Sequence, residues 1–166
     1  MNPLDRFRLD GRTVLITGAS SGLGAHFALL LARMGARVAV AARRTDKLQD
    51  LIHQLAEAGS DARALELDVS DAGSVARCFD ALGRWSAPNV VINNAGVTVT
   101  KPLLQQTEAD YDAVLDTNLK GCWLVATEAA RRMVAGDKAA ASSTSPRSWA
   151  SGWPAAWRRM RSPRPA

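Results

Sequence analysis

The chain is poor in the residues that most often announce chemistry. Its 166 residues include two cysteines, two histidines and one tyrosine. Cys78 and Cys122 form neither a metal-ligand spacing nor a disulfide framework, and they read as two reduced thiols. His26 and His53 fall in helix-patterned runs and read as surface or helix-packing residues. No apolar run reaches the roughly 18 residues of a membrane span, and no signal peptide opens the chain. The expected setting is therefore soluble and cytoplasmic, with no membrane partner. An apolar share of 47% and a charged share of 22% fit one globular domain with a core.

Acid is missing in one place only. All sixteen acidic residues lie within residues 1–138, where sixteen basic residues balance them. The last 28 residues hold Arg147, Arg158, Arg159, Arg161 and Arg164 and no acid, so the formal charge of +5 belongs to the tail. A basic tail can bind nucleic acid or an anionic surface. This one is rich in Ser, Pro, Arg and Trp, a composition that does not readily build a core. Trp149, Trp153 and Trp157 are spaced by four, but Pro154 interrupts any helical stripe. Two regions follow: a domain over residues 1–138 and an irregular tail over residues 139–166.

What is present is organised around Thr17-Gly18-Ala19-Ser20-Ser21-Gly22-Leu23-Gly24. This stretch follows the apolar run Val14-Leu15-Ile16 and opens a helix-patterned run from Ala25. A glycine-rich turn between strand and helix lets backbone N–H groups approach a phosphate, and the helix start favours an anion. The alternation then repeats. Strands are expected over 12–17, 36–42, 63–69 and 89–94. Helices are expected over 22–34, from a Thr45 or Asp46 cap to about 59, and from Ser70-Asp71 through Leu82. Further helical patterns follow Thr107. Strand–helix alternation of this kind predicts a doubly wound α/β parallel sheet, Rossmann-like, incomplete after the fourth strand and its following helices. Glu108 and Asp110 read as helix-start charge rather than an acid/base pair.

Several signatures in order make residues 8–138 resemble the short-chain dehydrogenase/reductase family. They are the TGxxxGxG stretch, Asp68-Val69 after the third strand, Asn93-Asn94-Ala95-Gly96 after the fourth, and Asn118. The resemblance implies that Gly18, Ser20, Ser21, Gly22, Leu23 and Gly24 line a pyrophosphate and adenosine ribose. It implies that Asp68 and Val69 meet the adenine and that Asn94, Ala95 and Gly96 pass the cofactor ribose. Asn118 resembles the family's catalytic Asn, which helps hold a proton-relay water through its backbone. The end of the second strand selects the cofactor. Ala42 stands where an acid would bind a ribose 2′-OH, and Arg43 and Arg44 follow, as a 2′-phosphate requires. NADP is therefore the expected cofactor, and a small carbonyl or alcohol compound the expected substrate.

The family's proton donor has no counterpart. A tyrosine with a lysine four residues on, and a serine about thirteen residues earlier, would supply it. Tyr111 precedes Asn118, and the residue four on is Leu115. The tail has a second reading, however. With suitable synonymous codons, the neighbouring frame from the Ala140/Ala141 junction to the Arg164/Pro165 junction spells GIVNIASILGLRVAGGVAAYAVSKA. That is a strand, a serine, a tyrosine and a lysine at the family's spacing. Residues from about 139 onwards thus read as a frameshifted translation, whose arginines are by-products rather than a nucleic-acid site. The expectation is an NADP-dependent oxidoreductase by resemblance, inactive in this chain. The alternative is a non-catalytic NADPH-binding module or sensor. Intact members of the family form homo-oligomers, whereas this chain, without later strands and helices, is expected to form no well-made tetramer.

Overall fold

A computed structural model describes residues 7–141, with side chains described to residue 136. Four strands form one parallel sheet: β1 (Thr13–Thr17), β2 (Arg37–Ala42), β3 (Ala62–Glu66) and β4 (Val90–Ile92). Their spatial order is β3-β2-β1-β4. Helices α1 (Gly22–Arg33), α2 (Gln49–Glu57) and α3 (Ala72–Trp85) connect successive strands. After β4 come α4 (Glu108–Leu115), a π-helical turn (Asp116–Lys120) and α5 (Gly121–Ala141). The doubly wound plan expected from the alternation is the plan observed.

The continuous apolar strands make sense in this setting. All five residues of β1 are buried, as are the last five of β2. Alternate side chains of a strand point to opposite faces. Val14, Ile16, Val38 and Val40 accordingly pack with Ala28 and Ala32 of α1 and with Leu51 and Leu55 of α2. Leu15, Ala39 and Ala41 pack on the other face with Val75, Phe79 and Leu82 of α3 and Val125 of α5. A parallel strand covered on both faces is near-continuously apolar, as the centres of β1 and β2 are, whereas β3 exposes Arg63 and Glu66. Among the described residues β3 and β4 are the two edge strands, and the side chains of β4 are half-buried or exposed.

Some boundaries differ from the sequence reading. β4 is only three residues long, because Asn93 and Asn94 turn out of the ladder to other partners. β3 ends at Glu66, although Leu67 N–H still reaches the Ala42 carbonyl at 3.0 Å. Neither Thr45 nor Asp46 caps α2. A 3₁₀ turn over Thr45–Leu48 leads into it, with no side-chain cap. Asp71 does cap α3, accepting from the N–H groups of Gly73 and Ser74 at 2.9 Å each. α5 continues to Ala141, past the boundary set at residue 138. The tail reading falls almost wholly outside the described residues.

Thr107 and Asp110 form a reciprocal capping box at the start of α4. Lys101 Nζ adds an ion pair to Asp110 at 2.7 Å. Glu108 and Asp110 are helix-start charge, as expected. The Lys101 ammonium, then the backbone and hydroxyl of Thr107, hold the Asp110 carboxyl at about 2, below its ordinary 3.8. A lowered folded-state value means the contribution is fully present above the unfolded value and fades as pH falls through the folded one. The box should stay closed down to about pH 4 and open as pH falls toward about 2. NMR titration of the Thr107 amide should show that acid midpoint, and Asp110→Asn should abolish it.

Candidate functional site

The sheet order places the site. The chain runs outward from β1 through β2 to β3, then returns across β1 to β4. Ligands of open parallel sheets bind beyond the carboxyl ends of the strands where the order reverses, here between β1 and β4. A cleft of about 390 Å³ lies there, lined from every side by residues singled out in the sequence. Gly18, Ser20, Ser21 and Leu23 come from the glycine-rich turn. Ala42, Arg43 and Arg44 come from the end of β2, and Asp68 and Val69 from beyond β3. Asn94, Ala95 and Gly96 follow β4.

The glycines serve different ends. Gly18 has φ +64°, and a Cβ there would lie 2.7 Å from Ala95 Cα. It is needed both for its left-handed backbone and for the closeness of the neighbouring loop. Gly24 has no unusual torsion. A Cβ there would lie 2.6 Å from both Asn94 Nδ2 and the Gly18 carbonyl oxygen, so Gly24 sets α1 close to the strand ends. Gly22 and Gly24 are not cleft-lining residues themselves; they shape the turn that is.

Thr17 binds the two strand ends together. Its hydroxyl accepts from the N–H groups of Asn94 and Ala95, both at 3.0 Å, and donates to the Ile92 carbonyl at 3.4 Å. Asn94 answers with Nδ2, which donates to the carbonyls of Thr17 and Gly18 at 3.0 and 3.1 Å. The sequence motif contained Thr17, but nothing in the pattern showed its partners, which lie 75–78 residues away.

The electrostatics suit an anion. The start of α1 carries no acidic residue in its first turn, and Ser21 makes no side-chain cap. Its amides and dipole therefore have no anion of the chain's own to satisfy them. Arg43 and Arg44 are exposed, and neither forms an ion pair among the described residues. Ala42 is 8% exposed and offers no carboxylate to them. A glycine cradle, an acid-free helix start and two guanidiniums beyond β2 fit a phosphorylated dinucleotide. Asp68 Oδ1 accepts from the Ser70 N–H and hydroxyl at 3.0 and 2.7 Å, which fixes the carboxylate at the cleft wall.

Asn118 sits in the π-helical turn, outside the cleft lining. Its side-chain amide makes a reciprocal pair with Val97: Oδ1 accepts from the Val97 N–H at 2.8 Å, and Nδ2 donates to the Val97 carbonyl at 2.9 Å. The side chain therefore anchors the loop after β4. Thr117 and Val97 line the cleft and were not singled out from the sequence. Adjacency to Asn118 was the one available signal for Thr117. His26 and His53 are exposed, away from the cleft lining. Burial pushes the Cys78 thiol up to about 12, while Cys122 is exposed; both are unpaired. No group of residues able to hold a metal ion occurs among the described residues, and no helix there is long and apolar enough to cross a membrane.

The profile of the family described as short chain dehydrogenase matches residues 12–146. A sorbitol dehydrogenase from Cereibacter sphaeroides is 38% identical over 132 residues, 79% of this chain and 50% of that protein. A short-chain type dehydrogenase/reductase from Mycobacterium marinum superimposes with a TM-score of 0.79 at 37% identity, over 82% of this chain and 56% of that one. A gluconate 5-dehydrogenase from Burkholderia cenocepacia J2315, solved with NADP and tartrate, gives a TM-score of 0.75 at 36% identity, over 81% and 53%. The chain spans about half the length of the curated relatives it matches.

The Thr17 hydroxyl is the testable joint of this site. Thr17→Val keeps the shape but leaves two part-buried N–H groups without their acceptor, at about 2 kcal/mol or more. Thr17→Ser keeps the acceptor and should lose less than about 1 kcal/mol. Urea unfolding of the two variants checks the ordering.

Proposed function

The chain belongs to the short-chain dehydrogenase family, and we propose that its cleft binds NADP as the cofactor part of an oxidoreductase. The reaction class is hydride transfer between the nicotinamide ring and a small carbonyl or alcohol compound. The observation that carries this reading is Ala42-Arg43-Arg44 at the end of β2, where two cleft-lining guanidiniums form no ion pair among the described residues and alanine stands at the position of a ribose-binding acid. Guanidinium pairs bidentately with phosphate, whereas a carboxylate would select a ribose hydroxyl. The Burkholderia neighbour, solved with NADP, supports the same choice.

In this reading each part of the cleft has its task. The Gly18–Gly24 turn and the start of α1 receive the pyrophosphate. Arg43 and Arg44 hold the 2′-phosphate, and Asp68 with Val69 meets the adenine. Asn94, Ala95 and Gly96 run along the ribose, stapled in place by Thr17. Asn118 keeps the following loop at its distance and takes the place of the family's catalytic asparagine.

The 166 residues contain no Tyr-x-x-x-Lys pattern. We therefore read this chain as competent to bind NADPH and unable to turn it over, with residues 139–166 translated out of frame. Sequencing the DNA across codons 136–166 and beyond decides between a disrupted reductase and a second reading, a non-catalytic NADPH-binding module. A serine, tyrosine and lysine in the neighbouring frame favour the first. Any other frame favours the second. The cytoplasm is the proposed location, and a well-made tetramer is not expected.

Calorimetric titration of the 166-residue chain should show NADPH binding at least roughly tenfold tighter than NADH, with no oxidation of NADPH by added carbonyl compounds. Arg43→Ala should remove that preference while leaving NADH binding unchanged. A variant that keeps the preference would sink the assignment.

A further inference from the structure

Gly121 opens α5 with ordinary helical torsions, φ −61° and ψ −44°. Nothing in its own backbone calls for glycine, and a helix ordinarily favours alanine. What glycine supplies here is room. A Cβ at position 121 would lie 2.7 Å from Val69 Cγ2, 3.0 Å from Val69 Cβ and 3.1 Å from the Val69 carbonyl oxygen. Two of these atoms belong to a stiff β-branched side chain and the third to backbone, so none can simply swing aside. By contrast, Gly83 in α3 and Gly136 in α5 face open space.

The same short stretch of helix reaches both sides of the cleft. On one side Gly121 backs Val69, a cleft-lining residue only 6% exposed. On the other, Asn118 holds Val97, and the Cys122 carbonyl accepts from Asn93 Nδ2 at 3.3 Å. Thr117, one turn before Gly121, lines the cleft between them. A side chain at 121 therefore has two outcomes. Val69 is pushed toward the cleft, or the helix start retreats and draws the Asn118–Val97 pair with it. Both change the width of the space in which the adenosine end would lie.

We propose that Gly121 is a positioning residue for the cofactor: by letting α5 touch Val69, it fixes the distance between the Val69 and Val97 walls. The inference rests on the NADP reading of the cleft. It concerns a residue that no part of the cleft lining includes, acting through one that does.

The test is calorimetric binding of adenosine 2′,5′-bisphosphate to the full 166-residue chain and its variants, with melting temperatures alongside. Gly121→Ala should weaken binding roughly tenfold, the scale expected for overpacking a tight contact. In a Val69→Ala background the same change should cost less than about threefold, because the closest of the three contacts, with Val69 Cγ2, is gone. Gly83→Ala, a helical glycine with space around it, should bind as the parent does. A purely structural role for Gly121 would lower the melting temperature and leave affinity unchanged, which overturns the proposal. So does a loss of affinity that Val69→Ala fails to relieve. If Gly121→Ala does not fold, a folded double variant that binds like Val69→Ala supports the proposal, and a double variant that folds no better overturns it. A parent chain that does not bind the probe overturns the NADP reading and this inference together. A parent that binds with Gly121→Ala unchanged overturns this inference alone.

Discussion

Thr17 stands at the carboxyl end of β1, where the strand order turns back on itself, and its hydroxyl meets three backbone groups from the β4 side. Two strands that splay apart at their ends cannot keep pairing there, so their terminal amides need other partners. One buried hydroxyl meets that need, and the Asn94 amide completes the joint in the other direction. The approach of the two loops then becomes so close that only glycine fits at 18 and 24. The shape of the cleft thus follows from a requirement to satisfy backbone polar groups where a sheet divides.

The parts legible in the sequence were those fixed by local physics. Val14-Leu15-Ile16 could be read as a strand buried on both faces because no alternation of polar residues interrupts it. The glycine-rich turn could be read because left-handed backbone and close approach both exclude side chains. The Arg43-Arg44 pair could be placed because it follows directly from the end of a strand. What was not legible depended on partners far along the chain. The π-helical turn over Asp116–Lys120 has no composition of its own to announce it. It occurs where Asn118 is held by Val97 and Gly121 is seated against Val69, contacts that span 21 and 52 positions. The shortness of β4 has the same origin, since Asn93 and Asn94 leave the ladder for bonds that only the folded chain provides.

Charge also divides along the chain according to purpose. Arg132 joins Asp80 of α3 and Glu128 of α5, both at 2.7 Å, and so ties together two helices on the same face of the sheet. Arg37 pairs with Asp61 and lies over the Trp85 ring at 4.6 Å, at the end of the sheet opposite the cleft. These arginines are committed to structure. Arg43 and Arg44 form no ion pair among the described residues, and both line the cleft beyond β2.

The alternation of β1 between two cores has an evolutionary consequence. Ile16 packs with α1 and α2, and its neighbour Leu15 packs with α3 and α5. A change of volume at one position is absorbed by one layer and scarcely felt in the other. The two layers can therefore drift in sequence along separate lineages of compensation, while the loops at the strand ends, fastened by backbone bonds, keep their form. Divergence in such a protein should accumulate face by face rather than uniformly, leaving the cleft as the part that resists it.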